Sequence, residues 1–539
     1  MKKSFCLPLN ANHTKFPIDR VIYGIILFLI VGYVLLSNPF LKIPYDVWQH
    51  LLIILSIHDE GRGFIFYPGD LWYTNPWYKA WALVLRQIGI ENLFYMAKFI
   101  HTIQFLFALV LMLYSVRIMI KCLIPNLKSQ HGNWLVLLAV SIWFVGNGTH
   151  SEAYQQSWIA WYSINYQAVA FPLFWFMGAL SVRIISKPQM TGQWLALDIL
   201  FILGAAWIIA EIHALELVFY FLYVGILLLF HPERVWNILK KYYWLVLPAF
   251  MILVVISIHD VDSRFTLKEK IMASDWNLSV FLNQVLETGQ WYIRTSLNRL
   301  SSTLSEAALF SLFIGLLTSG WILWDISMRK FVNTPLFHSQ VFATLIFFLI
   351  PVTTIPAGLA GIVTHPLLVY RFFWGAPWFL ILPVAIYLAA CSLHVKSHYA
   401  SGLGVTIITM IILISLYPIF PRGALYANGL SFVNMLDRKV MGPQYGDEVI
   451  RRLETMLDQR RPSAPDPAKP DMYYIRGDLG YLVRGCLRKY VYTGRFETPP
   501  RSTFFNNLDK HYRLIDIEVG PDFPKDETII SFRRYQTSP

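Results

Sequence analysis

Charge is what this chain has least of. Only 14% of its 539 residues are Asp, Glu, Lys or Arg, against 56% hydrophobic residues and a mean hydropathy of +0.47. A water-soluble protein of this length carries far more charge, so an ordinary soluble enzyme is excluded. Cysteine is scarce too. The four are Cys6, Cys122, Cys391 and Cys486, and no two form a Cys-x-x-Cys pair. That excludes a zinc ribbon and a dithiol redox motif. No internal repeat is visible, and no paired halves of the kind that build many transporters. The net charge is +12, yet no basic–aromatic pattern typical of nucleic-acid binding accompanies it, so nucleic acid is not an expected partner. Small residues suited to signal-peptide cleavage do not follow the first apolar run, 21–37, which therefore reads as a retained span.

What the chain does have is a series of apolar runs of membrane-spanning length. They predict an α-helical polytopic membrane protein with about eleven spans. The runs are 21–37, 95–117, 133–146, 167–185, 193–210, 216–230, 242–258, 305–324, 339–362, 372–391 and 402–420. The third, fifth and sixth are short, which suggests tilted or broken helices. Lys2, Lys3, Lys15 and Arg20 precede the first run and argue for a cytoplasmic N-terminal tail, 1–20. Lys121, Lys128, Lys187, Arg234, Lys240, Lys241, Arg329, Lys330 and Lys396 then fall in short loops on the same side. Arg371 is the exception on the outer side. On this topology only Cys486 lies outside, which argues against an intramolecular disulfide.

Three divisions follow: the tail, a transmembrane domain at 21–420 with an amphipathic first outer loop at 38–94, and an outer soluble domain at 421–539. The last division rests on a composition shift after Phe420, where charge becomes dense and spanning runs cease. Its β-type segments, 472–475 and 528–532, flank a helix expected near 479–491, which reads as a small α+β domain.

The first outer loop opens with Pro44-Tyr45-Asp46-Val47-Trp48-Gln49-His50. A helix starting near Asp46 places Asp46 and His50 on one face, four residues apart, with Ile53 and Ile57 continuing the stripe. Further along, Pro68-Gly69 and Asn75-Pro76 are turn signals, and a second surface helix is expected over 77–88. Its aromatic residues suit an interfacial belt. The second outer loop carries His150 and Glu152, and the tiny third one reads Glu211-Ile212-His213-Ala214-Leu215-Glu216. Ionisable residues this close to lipid face protein cavities. Late in the membrane domain comes Tyr370-Arg371-Phe372-Phe373-Trp374, an arginine at the mouth of a span among aromatic rings. Such an arginine suits a phosphate held at the membrane surface.

The order of these parts resembles the GT-C superfamily of integral membrane glycosyltransferases, in particular the branch of protein mannosyltransferases and the aminoarabinose transferase of lipid A. The resemblance covers roughly 21–420. It implies a catalytic acid in the first outer loop, which Asp46 matches, and a late arginine near the lipid phosphate, which Arg371 matches beside Tyr370. Glu152 stands where a second acid is expected. His213 occupies the neighbourhood in which many relatives have a basic residue, often lysine. Relatives often carry two adjacent acids in the first-loop motif, whereas Val47 follows Asp46 here, so metal binding is not implied.

The implied function moves a sugar from a polyprenyl-phosphate donor to an envelope glycan, lipid or protein acceptor on the outer face, with inversion. Asp46 and Glu152 are the catalytic candidates; Arg371, Tyr370 and His213 are those for the donor phosphate. His50, Gln49, Trp48 and Glu211 are candidates for holding the acceptor or tuning the acid. Asp46, His50, His150 and Glu152 have the chemistry to hold a divalent metal, magnesium or manganese, but no assembled motif. If the cell is bacterial, the location is the inner membrane and the C-terminal domain is periplasmic. The rival readings are a transporter or flippase of lipid-linked sugars, another envelope polysaccharide enzyme (a polymerase or ligase), and a non-catalytic scaffold.

Each residue also has a plain structural alternative. Asp46 is also suited to capping its helix, Arg371 to snorkelling, and Glu211 to pairing with His213 across the turn.

Overall fold

The computed structural model describes residues 45–58, 75–91, 93–127, 129–146, 148–149, 156–157, 165–187, 191–264, 278–303, 306–364, 366–396 and 455. It also describes strands at 471–475, 491–492, 513–519 and 530–534. Spans expected at 21–37 and 402–420 lie outside these residues, as do His150 and Glu152.

The chain is an α-helical polytopic membrane protein. Six helical stretches among the described residues are long and apolar enough to cross a bilayer: Tyr95–Leu123, Gln167–Ser186, Gly192–Ile212, Pro232–Val255, Thr334–Val352 and Val369–Ser392. Three shorter apolar helices, Gly132–Trp143, Leu215–Phe230 and Ala308–Trp324, join them. Their outer faces carry large apolar side chains, among them Val110, Leu200, Leu229 and Val255, all largely exposed. Lipid covers such surfaces at little cost.

Among the described residues, two short helices precede the bundle. Helix α1 is Tyr45–His58 and α2 is Pro76–Gln87. Asn75 caps α2, its side chain accepting from the Trp77 amide at 2.9 Å, while Pro76 at the first turn has no amide to satisfy. Gly89, at φ +69°, turns the chain away after the last turn. The helix was expected to lie on the surface with its rings in the interfacial belt. Instead Trp77, Tyr78, Ala82 and Leu85 are buried against Leu51, Ile53, Ile54 and Leu55 of α1.

Helices α3 (Leu93–Leu123), α4 (Ser129–Gly146), α5 (Gln167–Ser186), α6 (Gly192–Ile212) and α7 (Leu215–Phe230) follow. A two-stranded ribbon, β1 (Gly148–Thr149) with β2 (Gln156–Ser157), bridges α4 and α5. Among the described helices α5 is the centre of this half, buried along most of its length. At the α5–α6 turn, Arg183 pairs with the fully buried Asp198. Only a close partner makes that carboxylate tolerable in an apolar bundle.

Beyond α8 (Pro232–Arg264) comes helix α9 (Leu278–Thr303). Helix α10 (Glu306–Trp324) follows. The run expected as one span over 339–362 is instead broken. Helix α11 (Thr334–Leu349) ends in a 3-10 turn at Ile350–Val352, and α12 (Thr354–Val363) restarts after it. Pro351 explains the break, since it lacks an amide hydrogen and disfavours helix at the residue before it. The run over 372–391 likewise begins as a 3-10 segment, Pro366–Gly375, before α13 (Trp378–Lys396).

Helices α9 and α12 meet at two glycines. A Cβ on Gly289 would collide with the Thr354 carbonyl, and one on Gly358 with that of Val285. Both obstacles are backbone and cannot rotate away. Attraction between helices in lipid comes mainly from such close packing. Gly358→Ala is therefore expected to lower stability by about 1–3 kcal/mol, read as a reduced unfolding temperature in detergent.

Near the C-terminal end, β3 (Asp471–Ile475), β4 (Val491–Tyr492), β5 (Arg513–Val519) and β6 (Ile530–Arg534) form one mixed sheet in the order β4-β3-β5-β6. The pairs of β3 with β4 and β5 are parallel, and β5–β6 is antiparallel. Strands β4 and β5 were not expected. Val491 belongs to β4 rather than to a helix end, and 479–490 lie outside the described residues.

Candidate active site

The site is built from the ends of α1, α2, α5, α6 and α7. Helix α1 brings His50, which is buried. Its Nδ1 shares a 2.6 Å hydrogen bond with the Tyr78 hydroxyl of α2. Helix α2 is itself tied down by a chain of amides. Asn75 Nδ2 donates to the Ile212 carbonyl at the end of α6, at 3.0 Å. Trp77 Nε1 donates to Gln104 Oε1 of α3 at 2.7 Å, and Gln104 Nε2 donates onward to the Asn165 carbonyl at 3.3 Å. Asn165 Oδ1 in turn accepts from the Gln167 amide that opens α5. The α1–α2 segment is thus fastened to α3, α5 and α6 by buried hydrogen bonds, which hold a unique geometry at low local dielectric.

Tyr166 joins the two histidines that the sequence singled out. Its ring lies edge-on to His50 at 5.2 Å and against His213 at 4.9 Å. His213 caps α6, and its Nδ1 meets Glu216 Oε2 of α7 at 2.5 Å. Glu216 is fully buried and His213 nearly so. The expected partner of His213 was Glu211. The structure places Glu211 in the last turn of α6 and gives the Nδ1 contact to Glu216, three residues on, where the chain has already turned into α7.

Arg371 sits in the 3-10 segment before α13 and is half-buried. Its Nε donates to the Tyr370 hydroxyl at 3.3 Å. The guanidinium lies 5.5 Å from the centre of the Trp374 ring and 5.8 Å from that of Tyr370. Trp374 packs on Phe171 of α5 at 5.8 Å, and Phe171 on Phe219 of α7 at 6.0 Å. Glu216 stands one turn before Phe219. A continuous aromatic floor therefore runs from beneath Arg371 to the turn that carries His213 and Glu216.

Asp46, Trp48 and Gln49 lie in the first turns of α1, with Asp46 one turn before His50. The helix begins at Tyr45, so Asp46 is inside its first turn. His150 and Glu152 fall between the two strands of the ribbon, outside the described residues. Among the described residues no group of three or more His, Cys, Asp or Glu side chains is placed to hold a metal ion.

Sequence reasoning missed Tyr166, Tyr78, Gln104, Asn165 and Trp374. Only Tyr78 and Trp374 lay within stretches it had singled out, and Tyr78 was read as a belt residue. Tyr78→Phe removes the hydroxyl from the His50 bond. It is expected to lower stability by about 1 kcal/mol, measured by thermal unfolding.

No protein-family model matches the chain, and no curated protein matches its sequence significantly. Solved structures do match its shape. The Archaeoglobus fulgidus oligosaccharyltransferase tethered to an acceptor peptide superposes with a TM-score of 0.50 at 9% identity, over 96% of this chain and 74% of that one. This chain has the fold of that oligosaccharyltransferase. The apo form of the same oligosaccharyltransferase gives a TM-score of 0.48 at 10% identity, over 92% of this chain and 69% of that one. ArnT from Cupriavidus metallidurans bound to undecaprenyl phosphate gives 0.48 at 12% identity, over 94% of each chain. In this fold, the α1–α2 segment, the α6–α7 turn and the 3-10 segment before α13 carry the polar groups described above.

Proposed function

We propose that this protein is a membrane glycosyltransferase that takes a sugar from a polyprenyl-phosphate carrier. The observation that supports the reading is the line of rings from Trp374, against Arg371, through Phe171 and Phe219 toward the turn of the His213–Glu216 pair, a turn that His50 reaches through Tyr166; Asp46 lies one helical turn before His50.

The step follows from the residues. An acceptor hydroxyl oxygen attacks the anomeric carbon of the donor. The bond from that carbon to the phosphate oxygen breaks, and its electrons leave on the phosphate. Asp46 takes the hydroxyl proton, as a general base in hydrogen-bond reach does. Arg371, steadied by the Tyr370 hydroxyl and the Trp374 ring, meets the negative charge growing on the phosphate. His213, held by Glu216 at the other end of the line of rings, meets the sugar side of the donor. His50 positions the acid-bearing helix through Tyr78 and Tyr166. A single displacement inverts the anomeric centre.

If a divalent metal takes part, the carboxylates of Asp46 and Glu152 are the groups to hold it, since magnesium and manganese favour oxygen ligands. It would supply further positive charge for the leaving phosphate. The outer-face location, the acceptor class and the inner membrane of a bacterial cell belong to the same proposal, as does an outer soluble domain at 421–539.

The test is sugar transfer by the purified protein in nanodiscs, offered a panel of polyprenyl-phosphate sugars with hydroxyl acceptors. Consumption of one donor with release of the polyprenyl phosphate supports the reading. If no donor is consumed and a lipid-linked sugar instead crosses the membrane, the protein is a transporter and the reading falls.

A further inference from the structure

Two fully buried polar side chains carry atoms that have no hydrogen-bond partner among the described residues. Gln167 is the first residue of α5. It is 0% exposed, and among the described residues neither its Nε2 nor its Oε1 has a hydrogen-bond partner. Glu216 of α7 is also 0% exposed; Oε2 holds His213, while Oε1 has no partner among those residues.

The helix register places the two at the same level. Phe171 lies one turn after Gln167, and Phe219 one turn after Glu216. Those two phenylalanines are in contact, at 6.0 Å between ring centres. Helices α5 and α7 run the same way, being separated by the antiparallel α6. Side chains at i and i+3 or i+4 share a face. Gln167 and Glu216 therefore stand on facing sides, one turn above the Phe171–Phe219 contact, beside Tyr166 and His213.

Buried polar atoms without partners are costly, and native folds hold few of them. An apolar residue at position 167 would cost the fold less. We propose that Gln167, with the free oxygen of Glu216, reads the hydroxyl groups of the donor sugar. This assignment rests on the glycosyltransferase reading above and names a specificity-determining residue within it.

The inventory of donors and acceptors selects the ligand class. The amide nitrogen offers two hydrogens, while Gln167 Oε1 and Glu216 Oε1 each require a hydrogen from outside. A phosphate has acceptors only, so it leaves both oxygens unanswered, and the Glu216 carboxylate repels it. A hydroxyl donates and accepts at once. Neighbouring hydroxyls on a sugar ring answer all of these atoms. The phosphate then belongs at the Arg371 end of the floor and the sugar at the Gln167 end.

The experiment compares binding of bare undecaprenyl phosphate with that of undecaprenyl-phosphate glucose, galactose, mannose and arabinose. Wild type, Gln167→Met and Gln167→Leu are measured in nanodiscs, each with its unfolding temperature. The expected result is that wild type prefers one sugar-bearing carrier. Both variants should bind the bare carrier as wild type does and the preferred sugar carrier on the order of tenfold more weakly. Their unfolding temperatures should equal or exceed that of wild type, because unanswered polar atoms have been removed. Equal loss of both ligands, or no loss of either, overturns the assignment while the glycosyltransferase reading stands. So does a lowered unfolding temperature in both variants, which means that the amide has a partner within the fold. If wild type binds no sugar-bearing carrier, the assignment and the parent reading fall together.

Discussion

Asp46→Asn is expected to leave a folded protein whose sugar transfer is slower by about 10²–10⁴-fold. The substitution keeps size and shape and removes only the ability to take a proton. Folding should survive it. Asp46 lies in the first turn of α1, where a negative charge favours the helix by only about 0.3–1 kcal/mol. The anchoring of α1 rests elsewhere, on His50, Leu51, Ile53, Ile54 and Leu55, all buried. Acid and anchor are thus separated by one helical turn, so a loss of rate without a loss of stability assigns the chemistry to the carboxylate. The measurement is kcat/KM for the donor consumed by wild type, beside an unfolding curve. Equal rates in both proteins would remove Asp46 from the reaction and make Glu152 the next residue to test.

Arg371→Gln is expected to lower kcat/KM by about 10²–10³-fold, the usual cost of deleting a donor aimed at developing charge. The structure supplies three reasons for so large an effect from one side chain. The Trp374 ring and the Tyr370 hydroxyl hold the guanidinium in place, so little freedom is lost when it meets a phosphate. Its planar fork matches two phosphate oxygens at once. The 3-10 segment that carries it packs on both α9 and α12, whose separation is set by Gly289 and Gly358. Arg371→Lys should recover only part of the loss, because a lysine keeps the charge but neither the fork nor the stacking. If Arg371→Gln instead binds bare polyprenyl phosphate and transfers sugar as wild type does, the phosphate is held elsewhere, and His213 is the residue to examine. The glycine contact links packing to this chemistry: Gly358→Ala should shift donor KM as well as stability.

Much of the helical layout could be read from hydropathy alone, because crossing a bilayer demands long apolar runs whatever the neighbours are. The charge-poor composition, the runs that became α3, α5 and α6, and the isolated polar residues at their ends were all visible in this way. His50, His213 and Arg371 stood out because an ionisable residue beside lipid needs a reason to be there. Partners were a different matter. His213 had Glu211 before it and Glu216 after it at similar spacing, and only the sharp turn from α6 into α7 selected Glu216. Trp77 and Tyr78 have the composition of belt residues, yet the amides of Asn75 and Gln104 draw their helix inward and bury them. Tyr166 and Gln167 begin an apolar span and carry no sequence signal; they matter because α5 is central and its first turn meets α1, α6 and α7. Composition and hydropathy alone require a multi-pass helical protein with a few polar residues at span ends, since that much follows from solvation in lipid. Which of those residues share a site was decided by tertiary packing, because contacts between spans depend on helix register and close approach, which a hydropathy pattern does not encode.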